Sequence, residues 1–164
     1  MTPTESAAAK PQLITPTFVL AWVANFCQFL VFYLFVTTMA LYAVESFGAS
    51  DTVGGFASSA FVLGATCMRV FSGWIVDRVG HKKAALTSLA FVTLVAVAYF
   101  FAHNVAVLII VRMVHGAGYA LTSTALMAVA QSVIPHERRA EGTGYFALGT
   151  TLATAFGPAI GLLL

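Results

Sequence analysis

The stretch Gly73-Trp74-Ile75-Val76-Asp77-Arg78-Val79-Gly80-His81-Lys82-Lys83 decides how the rest of the chain reads. It is a tight polar turn pinned between two long apolar runs, and it holds half of the Lys and Arg residues that lie outside apolar sequence. In so apolar a chain, such a turn marks the place where one helix leaves a bilayer and the next re-enters it.

The composition around it agrees. The chain has 164 residues, of which 60% are hydrophobic and only 9% charged, whereas a soluble domain carries about 25% charged residues. The expected surrounding is therefore a lipid bilayer. A net charge of +2 is too small to argue for nucleic acid as a partner. Cys27 and Cys67 lie inside apolar runs with no metal-ligand spacing and no disulfide framework, so they read as small packing residues. No paired carboxylate, triad or zinc spacing is present. Gly116-x-Gly118 and Gly142-x-Gly144 follow no strand and precede no P-loop lysine. Neither an enzyme nor a cofactor or metal site is expected.

Working outward, five apolar runs emerge at about 18–44, 53–76, 84–102, 105–133 and 143–164. Each is long enough for a helix to cross a bilayer core, which takes about 20 residues. Lipid cannot satisfy an open strand edge, so the expected fold is an all-α integral membrane protein of five transmembrane helices. Residues 1–16 are polar and rich in Ala, Pro and Thr, and read as a disordered tail. The first run is too long for a signal peptide and no small-residue cleavage site closes it. Residues 134–142 read as a second charged loop, and the fifth run continues to Leu164 without a polar flank, as expected of a truncated chain or a fragment.

Lys10, Arg78, Lys82, Lys83, Arg138 and Arg139 all fall on the tail, the second loop or the fourth loop; the first and third loops carry none. Positive loops stay in the cytoplasm. The amino terminus is therefore expected inside, in a multi-pass protein of the cell (inner or plasma) membrane.

The turn Gly73-x-x-x-Asp77-Arg78-x-Gly80-x-Lys82-Lys83 resembles the loop between the second and third helices of major facilitator superfamily transporters. That loop usually reads Gly-x-x-x-Asp-Arg-x-Gly-Arg-Arg/Lys, and His81 stands here for the first basic residue. A topology anchor needs the Lys and Arg residues but not Gly73, Asp77 or Gly80. Gly73 is expected to admit a close helix approach, Gly80 a positive φ, and Asp77 to meet N–H groups at a helix start. The resemblance implies that Gly73, Asp77, Arg78, Gly80, Lys82 and Lys83 form a conformational latch.

Two more stretches carry the same resemblance. Arg112-Met113-Val114-His115-Gly116-Ala117-Gly118-Tyr119-Ala120 resembles the family's fourth-helix pattern Arg-x-x-Gln-Gly-x-Gly-Ala, with His115 in the Gln place. Arg112, His115 and Tyr119 share one helix face by their 3–4 spacing. A charge within a span is functional by default, with snorkelling to the surface as the alternative. The resemblance implies that Arg112 lies near the substrate cavity and is linked to proton coupling. In the fifth run, Gly149, Ala153, Gly157 and Gly161 recur every fourth residue, which by itself is a packing stripe, and Pro158 is expected to kink the helix. With Gly144, its Gly157-Pro158-x-x-Gly161 ending resembles the antiporter motif of drug exporters, two of whose glycines are Ala153 and Leu162 here. On the first span, Asn25 and Gln28 either line a polar cavity or hydrogen-bond a neighbouring helix.

Taken together, the resemblance implies five helices of a six-helix amino-terminal half, with the substrate site between this half and a missing carboxy-terminal bundle. The expected function is proton-coupled export of a small amphipathic compound. The expected partners are the bilayer, that small-molecule substrate, protons and the missing bundle. Two alternatives stand beside it: a small non-transporting membrane protein that packs on partner helices through the Gly149 stripe, and a sugar or metabolite uptake carrier.

Overall fold

A computed structural model describes residues 11–163. They form five helices: α1 (Pro16–Phe47), α2 (Asp51–Val79), α3 (His81–Ala98), α4 (Val105–Val133) and α5 (Arg139–Leu163). A 3-10 turn at Tyr99–Phe101 extends α3, and another at His136–Arg138 leads into α5. With those extensions, all five are long and apolar enough to cross a membrane. The helices run past the apolar runs at several ends, since a helix does not stop where lipid stops. The loop expected at 134–142 is correspondingly shorter, because Arg139, Glu141 and Gly142 already belong to α5.

Local chemistry explains the ends. Thr15 caps α1 by accepting from the Phe18 N–H at 3.2 Å, and Pro16 takes the first helical position, where its missing N–H costs nothing. Gly48 closes α1 in the left-handed conformation at φ 64°. Gly80 is the whole link between α2 and α3, at φ 92°, so the positive φ expected there is present. Asn104 caps α4 by accepting from Val107 N–H at 2.9 Å.

Of the tail expected to be disordered, residues 1–10 lie outside the described residues. Residues 11–15 lie against the bundle: Leu13 is buried. Arg138 grips this segment, donating from Nη1 to the Pro11 carbonyl at 2.8 Å while its other nitrogens bond both carboxylate oxygens of Glu141.

The two most extensive helix contacts join helices that are not chain neighbours, whereas α3 packs chiefly on its neighbour α4. α2 packs chiefly on α4, and α5 on α1. The α2–α4 contact is a reciprocal glycine crossing. A Cβ on Gly64 would collide with the Met113 backbone, and one on Gly116 with the Phe61 carbonyl. The expected stripe on α5 faces α1: a Cβ on Gly157 would stand 2.5 Å from Tyr33 Cβ, and one on Gly161 2.6 Å from Thr37 Oγ1. Ala153, one turn before Gly157, is fully buried. The stripe is thus consumed inside the bundle rather than offered to a partner. Pro158 lies within α5, which continues to Leu163.

Two expectations change. Cys27 and Cys67 are exposed rather than packing residues; an apolar run in a membrane protein faces lipid as readily as it faces protein. Gly73 admits no close approach among the described residues, as nothing lies within 4 Å of where its Cβ would be.

Candidate functional site

Four helices, α1, α2, α4 and α5, surround an open cleft of about 400 Å³. Its polar residues are Asn25, Arg69, Ser123, Thr150 and Thr151, and Phe29, Met127 and Phe146 supply apolar walls. Their heights coincide. Asn25 lies nine residues from the start of α1, and Arg69 ten residues from the end of α2. Ser123 lies ten residues from the end of α4 and Thr150 eleven from the start of α5. These ends all lie on one side of the bundle, because successive helices reverse direction. At a rise of about 1.5 Å per residue, the four side chains form one layer about 14–17 Å deep.

Within that layer Asn25 Nδ2 donates to Thr150 Oγ1 at 3.3 Å, which ties α1 to α5, and Arg69 Nη2 donates to Ser123 Oγ at 3.5 Å, which ties α2 to α4. Asn25 is buried, whereas Arg69 is exposed to the cleft. Arg69 lies seven residues from the end of the apolar run at about 76, but α2 runs on to Val79, so it sits ten residues from the helix end.

The fourth-helix residues are elsewhere. Arg112 lies eleven residues before Ser123 on α4, about 16 Å along the axis. It is fully buried. It donates from Nη2 to the Ser58 carbonyl at 2.7 Å and from Nε to the Ala57 carbonyl at 3.4 Å, and its guanidinium lies 4.9 Å over the Phe61 ring. It does not snorkel, and it does not line the cleft. His115 meets the Tyr99 hydroxyl at 3.0 Å through Nδ1, and Tyr99 lies beside Arg112. Tyr119 packs among Phe29, Phe32 and Phe61, with ring centroids 5.1–5.4 Å away. The shared face predicted for Arg112, His115 and Tyr119 is real, and all of it is buried. Gln28 hydrogen-bonds α4 through the Tyr119 carbonyl at 3.0 Å. Of the five pathway residues named from sequence, the structure brings only Asn25 to the cleft.

At the organising turn, Asp77 and Arg78 are exposed. Asp77 Oδ1 is 3.9 Å from His81 Nε2, and Arg78 lies 5.3 Å over the Trp74 ring. The helix-start role expected for Asp77 is not filled: no side chain caps α3. Lys82 borders a groove between α1 and α3, and Lys83 is exposed. Gly144 is exposed, with nothing near its Cβ position, while Gly149 faces the Trp22 ring at 3.1 Å.

Residues 21–164 match the sequence pattern of the Major Facilitator Superfamily. The chain belongs to this superfamily. It is similar to the multi-drug resistance efflux pump PmrA of Streptococcus pneumoniae, 30% identical over 148 residues, which is 87% of this chain and 36% of that protein. It is also similar to the staphylopine export protein of Staphylococcus aureus, 28% identical over 113 residues, 69% of this chain and 28% of that one. An uncharacterized protein of Mycobacterium tuberculosis is 34% identical over 89 residues, 54% of this chain and 21% of that one. The chain thus spans about a third or less of the length of these relatives. As a superfamily member with five membrane-length helices, it is a multi-pass membrane protein of a transporter class.

Sequence reasoning missed Ser123, Thr150 and Thr151, which are unremarkable small polar residues in apolar runs. It also missed Tyr99, which comes from the end of α3 to meet His115. The available signal was Arg69, a charge on a span with no acidic neighbour in sequence.

Proposed function

We propose that this chain works as the amino-terminal half of an exporter of small amphipathic compounds in the plasma membrane, driven by inward proton flow and completed by a carboxy-terminal bundle. The observation that carries the reading is the cleft. It gathers polar groups from α1, α2, α4 and α5 at one depth in an open cleft, for which a second half would supply the missing wall. The basic turn and Arg138 and Arg139 sit at the cytoplasmic ends of the helices under the positive-inside rule. The names of two relatives, an efflux pump and an export protein, favour export over uptake. The non-transporting alternative loses its support, because the Gly149 stripe is used against α1.

The test is uptake by everted membrane vesicles from cells expressing the transporter, energised to an acid interior. Accumulation of a small amphipathic fluorescent solute that collapses when a protonophore is added supports proton-driven export. Accumulation that ignores the pH gradient removes the proton coupling, and no accumulation removes export.

A further inference from the structure

We propose that the cleft is an anion site, in which Arg69 pairs with the carboxylate of an amphipathic substrate. The proposal rests on the export reading above and adds the substrate's charge to it.

Three observations lead there. Arg69 is the one cation lining the cleft, and it is exposed to it. Its recorded hydrogen bond, to Ser123 at 3.5 Å, occupies one of five N–H donors. No acid shares its layer: the acidic residues of the chain are Glu5, Glu45, Asp51, Asp77, Glu137 and Glu141, and none lies among the spans' central residues. The ion pairs among the described residues are His81–Asp77 and Arg138–Glu141, both at the helix ends.

A guanidinium about 15 Å inside a helix end requires compensation. The fully buried Arg112 obtains most of it from two carbonyl groups and an aromatic ring, with only Nη1 left without a partner. Arg69 has one hydrogen bond, to a hydroxyl, and is exposed where it lines the open cleft. Its planar fork matches a carboxylate, which accepts two parallel N–H bonds. Asn25 and Thr150, already bonded to each other, leave lone pairs and protons in the same layer for a second polar group. Phe29 and Met127 offer apolar surface to an apolar body beside the charged head. The walls therefore fit a small aromatic or aliphatic monocarboxylate better than a lipophilic cation, which would meet Arg69 as a like charge.

The test is equilibrium binding to the transporter in nanodiscs at neutral pH, with three probes on one ring: 2-naphthoate, 2-naphthylmethylammonium and 2-naphthol. Naphthoate is expected to bind about ten-fold or more tightly than the ammonium probe, the scale of one charge-assisted hydrogen bond. Arg69→Gln is expected to erase that preference while naphthol binding stays as it was, which shows that the fold has survived. Arg69→Lys, which keeps the charge without the fork, is expected to fall between. Equal binding of the two charged probes overturns the proposal, as does a preference that survives Arg69→Gln, or no saturable naphthoate binding. Binding at equilibrium needs no transport. Charge-selective binding without vesicle accumulation would therefore count against export alone, and accumulation of the ammonium probe without naphthoate preference against the anion site alone.

Discussion

Arg112 on α4 donates from Nη2 to the Ser58 carbonyl on α2 at 2.7 Å, close to where Gly116 and Gly64 let the same two helices touch. The bond makes Arg112 a pin between helices before it is anything else. A hydrogen bond to a charged group contributes about 1.5–3 kcal/mol, and losing one partner of a buried set costs more than replacing both. Arg112→Lys keeps the charge and can reach one carbonyl. Arg112→Gln keeps some hydrogen bonding and loses the charge. Both are expected to lower the apparent melting temperature in detergent, Gln more than Lys, with efflux falling in parallel. Full stability with lost efflux would instead assign Arg112 directly to substrate or proton handling, and unchanged behaviour in both variants would mean the pin is idle.

The glycine crossing makes a sharper prediction. A Cβ at Gly64 or Gly116 would overlap backbone, which cannot move aside as a side chain can. Gly64→Ala and Gly116→Ala are each expected to cost about 1–3 kcal/mol or more through overpacking. Gly55 and Gly144 meet nothing within 4 Å of their Cβ positions. Gly55→Ala and Gly144→Ala should be neutral or gain up to about 1 kcal/mol of helix propensity. Thermal aggregation of the four detergent-solubilised variants, side by side, checks this; equal losses in all four would mean that close contact is not what these glycines provide.

Some of this was readable in the chain, and the division is physical. Apolar run length determines helix number in lipid, so the five helices were legible, as was the positive φ at Gly80; the turn expected over 77–83 shrinks to Gly80 alone because polar residues continue both helices. Facing was not. In a soluble helix a polar stripe marks the outside, but here both lipid and protein sides are apolar, so Cys27, Cys67 and Gly73 gave no sign of lying on open faces. The motif on α4 was visible as a shared face, yet whether that face meets a cavity or another helix depends on α2, whose Ala57 and Ser58 carbonyls leave no trace in residue type. The cleft layer was invisible for a related reason. Its members come from four helices and align only when the true helix ends are known.

Asp77 separates insertion from conformational work. Its carboxylate is exposed, and its recorded contact is His81 at 3.9 Å, an arrangement worth little to stability. Insertion uses the neighbouring basic residues, since acids contribute little to the positive-inside bias. Asp77→Asn is therefore expected to leave expression and melting temperature unchanged while efflux drops, as a latch requires. Normal efflux at normal expression would make Asp77 a bystander.

Topology is the prediction on which the side assignments depend. Lys and Arg outside the spans segregate to the tail and the second and fourth loops, which puts the Gly80 turn in the cytoplasm and the α1–α2 and α3–α4 links outside. Single cysteines at exposed loop positions report this directly, in a background where the exposed Cys27 and Cys67 are replaced by serine. Ser50, His103 and Lys83 are suitable, all exposed. His103 is preferable to Asn104, whose side chain caps α4 and whose loss would cost about 1 kcal/mol and fray the helix being mapped. An impermeant maleimide added to intact cells is expected to label Ser50→Cys and His103→Cys but to reach Lys83→Cys only after permeabilisation. The reverse pattern would invert the bundle. The cleft layer would then lie about 15 Å from the outer surface instead of the inner one, and Arg69 would meet its substrate on the wrong side for export.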